Sequence, residues 1–296
     1  MSAMRGSFGL AGKRGAIAMA ERPWRVGAVS YLNTKPLIEG LSETLGERGV
    51  LELDLPSRLA DRLKRAQLDV ALIPSVEFFG RPDWFILSDA CIGCRGPVWS
   101  VRALFRTPPH QVRSVALDVG SRTSAAMLRV LLAESYGIQP SLEPFPIDAP
   151  ISSTSADCVL VIGDRAMRQQ WDGVLEHWDL GEQWVRRTGL PFVFAMWIAN
   201  PSSRVVHDDA NWKWLERALE EARDRGCGKM AELADRHCKQ YALTAQQCRD
   251  YFEKNLYFHL DDTMIEGLRC YEQMVRRWCP ELIPTDSLAG MESSRS

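Results

Sequence analysis

The sequence predicts an α/β protein of two lobes, joined by two chain crossings, with a ligand cleft between the lobes. Three observations predict it. Short apolar runs alternate with amphipathic stretches, the order of a parallel sheet whose ligand loops lie at its carboxyl edge. Two long apolar runs, Val98–Arg106 and Phe192–Ile198, stop at Pro108-Pro109 and Asn200-Pro201 and read as the crossings, near residues 103 and 196. Two polar turns, Ser30 to Pro36 and Asp118 to Ser124, each follow a strand-like run and open a helix. The free N–H groups of a helix start bind anions, so two such turns face to face would grip a small molecule carrying two carboxylates.

Arg25–Val29 reads as a buried strand. Thr34 suits a helix N-cap, with Pro36 in the first turn and the helix running to about Leu45. Leu51–Leu55 alternates as a strand. Ser57 can cap a helix through Gln67 with Leu59, Leu63 and Ala66 on one face. Asp69–Ile73 is the next strand; Pro74 stops it and Ser75 opens a short helical turn. The second unit reads as strand 114–117, helix 123–136, strands 141–146 and 157–162, then helices over 163–171 and Asp179–Arg187. Beyond Asn200 the pattern is helical, with Leu215, Leu219 and Ala222 on one face and Leu268, Tyr271, Val275 and Trp278 on another. The expected division is a leader over 1–22, one lobe from 23–103 plus 197–283, the other from 104–196, and a flexible tail over 284–296.

At 46% hydrophobic over 296 residues, the chain can bury a sizeable core. Its 36 basic and 38 acidic residues leave a net charge of −2, so no electrostatic case for nucleic acid exists. No stretch approaches the roughly 18 consecutive apolar residues of a membrane span. Residues 1–21 are rich in Gly, Ala and basic residues, but Ala16 to Ala20 is too short an apolar core for a signal peptide. The expectation is a disordered leader, or an upstream start with the natural one at Met19, on a cytoplasmic protein. Cys91-Ile92-Gly93-Cys94 has redox or metal spacing. With no second such pair, and His237 and Cys238 pointing different ways on a helix, a structural role is expected and no metal site. Gly6-Ser7-Phe8-Gly9 lies outside any strand–turn–helix unit, so no dinucleotide fingerprint is present and no cofactor is expected.

With these elements placed, six collinear stretches carry a resemblance. They are Ser30–Leu37 (SYLNTKPL), Asp69–Glu77 (DVALIPSVE), Gly96–Val101 (GPVWSV), Asp118–Ser124 (DVGSRTS), Ile162–Ala166 (IGDRA), and Asp179–Trp184 (DLGEQW) followed by Thr188–Trp197 (TGLPFVFAMW). Over residues 24–280 the chain resembles the chorismate dehydratases of the futalosine route to menaquinone. The resemblance implies a periplasmic-binding-protein-like fold of type II, used as a carbon–oxygen lyase. It implies chorismate as substrate and 3-[(1-carboxyvinyl)oxy]benzoate as product. The sister dihydroxynaphthoate synthase shares that fold, but its Pro-Asn-Asp turn after the first strand is absent here. A non-catalytic solute-binding protein is the rival of another class. A ligand-sensing regulator would need a DNA-binding module, which the sequence lacks.

The chemistry asked of the site is loss of water across C3 and C4 of the ring. None of the five histidines lies near the turns, and their hydroxyls and amide are poor bases at neutral pH. The expectation is that the substrate's own enolpyruvyl carboxylate takes the C3 proton, with Asn33 and Ser100 orienting it or assisting the leaving hydroxyl. Ser121, Thr123 and Ser124 read as a carboxylate cradle, and Ser30, Tyr31, Thr34 and Ser75 as further substrate contacts. Each has a plainer alternative: capping for Ser75 and one of the three cradle residues, core packing for Tyr31. Lys35 either reaches a carboxylate or stays in solvent, and Asp164 and Arg165 read as a structural pair. Trp197 and Phe194 read as hinge or core. Glu77 and Asp118 are the carboxylates near the turns and the rival candidates for a conventional base.

Overall fold

A computed structural model describes residues 22–167 and 171–284, which form two sheets, each with its own helices. Most of the expected leader and tail, and residues 168–170 of the expected 163–171 helix, lie outside the described residues.

The first sheet has the order β11-β4-β10-β3-β1-β2. Its strands are β1 (Trp24–Val29), β2 (Gly49–Asp54), β3 (Val70–Pro74), β4 (Phe85–Cys94), β10 (Phe192–Ala199) and β11 (Tyr257–His259). The second has the order β7-β6-β8-β5-β9, built from β5 (Val101–Phe105), β6 (Ser114–Asp118), β7 (Ser141–Phe145), β8 (Cys158–Ile162) and β9 (Glu176–Asp179). Both sheets are mixed rather than parallel. β1 runs parallel to β2 and β3, whereas β10 runs antiparallel to β3 and β4. Likewise β6 is parallel to β7 and β8, and β5 is antiparallel to β8 and β9.

The crossings differ from expectation. Among the described residues no strand spans both sheets: β5 lies whole in the second and β10 whole in the first. The chain changes sheet between Cys94 and Val101, and again between Asp179 and Phe192, rather than at 103 and 196. The physical reason is pairing. A strand's backbone groups need partners along its full length, and each of these runs finds them within one sheet. The run β4 has no strict alternation, being buried on both faces over its second half; such runs carry no periodic signal.

The helices show why local signals shift. Leu32–Ile38 is a 3₁₀ turn, and a separate α1 (Leu41–Leu45) follows. Pro36 has no N–H to continue an α-helix, and Gly40 breaks the run at φ +70°. Thr34 therefore sits inside the turn, buried, and caps nothing. In α2 (Pro56–Lys64) Pro56 takes the first position and Ser57 is internal. The remaining helices are α3 (Arg122–Tyr136), α4 (Leu180–Thr188), α5 (Asp209–Cys227), α6 (Met230–His237), α7 (Ala245–Asp250) and α8 (Asp262–Trp278).

Two packing contacts hold the elements around the cleft in place, one at the return crossing and one within the first lobe. Trp184 of α4 meets Phe192 of β10 and Tyr271 of α8 with ring centroids 5.1 and 5.6 Å apart, an aromatic cluster at the return crossing. The α5 helix lies on the Leu32–Ile38 turn so closely that a Cβ at Gly226 would fall 2.0 Å from the Pro36 carbonyl oxygen. Gly226→Ala must therefore push the turn off its helix. The expected cost is about 3 kcal/mol of stability in urea unfolding; a loss below about 0.5 kcal/mol would mean that the turn yields freely.

Candidate functional site

Strand ends deliver the polar turns to one place. On the first lobe, β1 ends at Val29 and the Ser30 N–H donates to the Asp54 carbonyl at 3.1 Å. The 3₁₀ turn then begins, and Asn33 projects into the cleft. The Thr34 hydroxyl donates to the Asn33 amide oxygen at 3.3 Å. That bond leaves the Asn33 NH₂ group as a donor for the cleft. Thr34 thus orients Asn33 and does not itself line the cavity.

On the second lobe, β6 ends at Asp118, whose carboxylate accepts from the Gly120 N–H at 2.8 Å and pairs with Arg165 at 2.6 Å. The chain turns into α3, where the Ser121 side-chain oxygen caps the Ser124 N–H at 3.3 Å. Ser121, Thr123 and Ser124 are buried and line the cleft. The α3 dipole adds partial positive charge at this end. Ser100 enters from the first crossing, its carbonyl accepting from the Gly163 N–H at 2.8 Å. Gly163 has φ +64°, and the Tyr31 ring lies 3.4 Å from where its Cβ would be. Glycine thus serves the left-handed turn, while a Cβ there would meet the Tyr31 ring at ordinary contact distance.

Between these walls lies a narrow cleft that opens to solvent. Tyr31, Asn33, Ser100, Ser121, Thr123 and Ser124 line it together. Ser30, Thr34 and Ser75 do not. Ser75 is fully buried and donates to the Val193 carbonyl at 2.7 Å, so its hydroxyl proton is committed to the fold. The apolar walls escaped the sequence reading: Ile92 comes from β4, Ile162 from β8, and Phe194 from the interior of β10. Strand order decides that these three meet, and no local pattern encodes it. Trp197 is wholly buried in the core.

No Asp, Glu, His, Lys or Arg lines the cavity among the described residues. Glu77 is held by Lys64 at 2.5 Å and Arg122 at 2.7 Å. Asp118 is held by Arg165; burial nonetheless pushes its carboxyl above the ordinary range. Neither rival base reaches the cleft. Arg165 pairs with Asp118 and not with Asp164, the partner expected from adjacency. Burial, together with the Asp118 and Asp164 charges, pushes the Tyr31 phenol well up, so it acts as a donor and not as a base. Cys91 and Cys94 are buried free thiols on one extended strand. Three residues apart on a strand span roughly 10 Å, beyond the reach of a disulfide.

Asp164 has a different place. It leaves the second sheet at the end of β8, and its carboxylate accepts from the Leu32 N–H of the first lobe at 3.4 Å. Burial raises its pKa from 3.8 to about 6, with the Leu32 N–H and Lys35 pulling the other way. Above pH 6 it is ionised both folded and unfolded, and the folded state bears the desolvation cost. Between about pH 6 and 4 only the folded state takes up the proton, so that cost is relieved as the pH falls. Asp164→Asn keeps the acceptor without the charge. It should be more stable than wild type at pH 8, by on the order of 2 kcal/mol, with the gap closing towards pH 4. Urea unfolding at the two pH values measures this; a gap independent of pH would contradict it.

Known proteins resemble this chain in sequence and in fold. Residues 24–277 match the family described as menaquinone biosynthesis. A Thermus thermophilus protein named chorismate dehydratase is 30% identical over 270 residues, covering 85% of this chain and 95% of its own. Among solved structures, protein AF1704 of Archaeoglobus fulgidus superposes with a TM-score of 0.69 at 12% identity, over 88% of this chain and 98% of that one. The Candida albicans CA3427 gene product, described as having the generic periplasmic binding protein fold, gives 0.56 at 10% identity over 89% and 96%. The fold is that of the periplasmic binding proteins, and none of the described helices is long and apolar enough to cross a membrane. On the residues matched and the relative's identity, the chain belongs to the menaquinone biosynthesis family.

Proposed function

We propose that this protein is a chorismate dehydratase, a hydro-lyase that converts chorismate to 3-[(1-carboxyvinyl)oxy]benzoate and water in the cytoplasm. The observation that carries the reading is a cavity lined by uncharged donors from both lobes and by no ionised side chain among the described residues. Such a site suits a substrate that brings its own base. The relative named chorismate dehydratase supports the substrate.

The chemistry follows from the substrate. Its ring carboxylate is conjugated through C1=C2 to C3, so removing the C3 proton spreads charge toward that carboxylate. The tethered enolpyruvyl carboxylate takes the proton, proximity replacing a strong base. The C4–O bond then breaks as C3=C4 forms and the ring becomes aromatic. The proton held on the enolpyruvyl carboxyl passes to the departing oxygen, giving water. Ser121, Thr123, Ser124 and the α3 terminus bind one carboxylate, where donors aimed at developing charge lower the barrier. Asn33 and Ser100 orient the enolpyruvyl carboxylate or the leaving hydroxyl, and Tyr31 borders the ring.

Chorismate mixed with the purified chain should yield an aromatic product, followed by absorbance and mass. Asn33→Ala and Ser100→Ala should each lower kcat roughly 100-fold. Near wild-type rates in both would remove their roles. Binding of chorismate without conversion by the unmodified protein would favour a solute carrier instead.

A further inference from the structure

Gly163 and Asp164 follow β8 in the second lobe, and each touches the backbone that carries one of the two donors assigned to the dehydration. The Gly163 N–H donates to the Ser100 carbonyl at 2.8 Å. The Asp164 carboxylate accepts from the N–H of Leu32, the residue before Asn33, at 3.4 Å. Asp164 itself does not line the cavity. Its neighbour Arg165 is engaged elsewhere, by the Asp118 carboxylate and the Ile147 carbonyl.

The turn that carries Asn33 needs such a partner. The first N–H groups of a helical turn find no carbonyl within it. A side-chain oxygen on the preceding residue ordinarily meets that need. Tyr31 stands there with extended backbone and makes no capping bond. Within the Leu32–Ile38 turn the Thr34 N–H donates to the Tyr31 carbonyl at 3.2 Å, so the Leu32 N–H is met from outside. The cap comes from the opposite lobe. Tyr31 crosses to the same place. Its ring carbons lie 3.4 to 3.5 Å from where a Gly163 Cβ would be, and its phenol oxygen 3.2 Å from where a Gly120 Cβ would be. A methyl group at Gly120 would crowd that phenol. Two consecutive residues of the first lobe, Tyr31 and Leu32, thus dock on two consecutive residues of the second, Gly163 and Asp164.

We propose that Asp164 is a positioning residue for Asn33: by capping the Leu32–Ile38 turn from across the cleft, it fixes the Asn33 amide relative to Ser100, whose carbonyl the adjacent residue holds. The pair of donors is then set only when the two lobes meet. The inference rests on the proposed function and adds to it what fixes the distance between its two donors. Asp164 supplies a hydrogen-bond acceptor here, not a base, and an amide oxygen at the same position can serve as well.

The test is a double-mutant cycle on the full chain at pH 8, with chorismate turnover as the readout. Asp164→Ala removes the acceptor. It should lower kcat about tenfold with KM within roughly threefold, since a misplaced donor costs rate more than binding. Asp164→Asn restores the acceptor and should stay within roughly threefold of the wild-type kcat. In an Asn33→Ala background, Asp164→Ala should cost less than about twofold, because the group through which it acts is gone. A wild-type rate in Asp164→Ala, an Asp164→Asn protein as slow as Asp164→Ala, or equal losses in both backgrounds would overturn the inference while leaving the proposed function intact. No turnover by the wild type would remove both. Should Asp164→Ala fail to fold, Asp164→Glu moves the acceptor by one methylene. It should lower kcat at least about threefold in the wild-type background and less than about twofold in Asn33→Ala, and an unchanged kcat in the wild-type background counts against the inference.

Discussion

The arrangement depends on how the first turn of α3 seats against the opposite lobe. Arg122, the first helical residue, forks onto the Asp61 carboxylate with two bonds of 2.9 Å and reaches Glu77 at 2.7 Å. Thr123 accepts from the Val76 N–H at 3.3 Å through its hydroxyl, and from the Tyr271 hydroxyl at 2.8 Å through its carbonyl. The ion pair is partly exposed and contributes little net energy, but its two-pronged geometry is directional. Together these bonds bring the Ser121–Ser124 turn to face Asn33, and the cavity exists because they do.

The electrostatics of the cleft follow from that seating. Arg122 spends its charge on two carboxylates and Arg165 spends its own on Asp118, so these two cations are neutralised outside the cleft. What remains toward the ligand is a helix start, an amide and hydroxyls. A helix start can bind an anion through dipoles that need no counter-charge, and among the described residues no ionised side chain lines the cleft.

One carboxylate ties the two crossings together. Asp179 accepts from Val98 and Trp99 on the outgoing segment, and it also caps α4 through the Glu182 N–H at 3.2 Å. Helix α4 in turn carries Trp184 into the aromatic cluster with Phe192 and Tyr271 on the returning side. The turn that presents Ser100, with Trp99 at φ +62°, is thus braced by the same residues that carry the chain from one sheet to the other and back.

How much of this was legible in the sequence depended on the range of the interaction involved. Strands β1, β3, β6 and β8 and helix α3 were readable because their signals are local: an apolar run, a small capping side chain, a proline stop. The polar turns were readable for the same reason, and six of the nine residues expected at the site line one cavity. Strands β4 and β9 were missed, as was β11, because runs that are buried or very short carry no period. The crossings were misplaced because strand pairing is settled by partners far away in the chain. Thr34 and Ser75 turned inward because Asn33 and the Val193 carbonyl offered them partners. The sequence by itself determined the α/β class, the donor turns and the absence of a histidine beside them. Only the tertiary structure decided which donors face the cleft and that Glu77 and Asp118 are held in ion pairs. A hydroxyl's direction and a carboxylate's availability depend on neighbours that folding alone brings near.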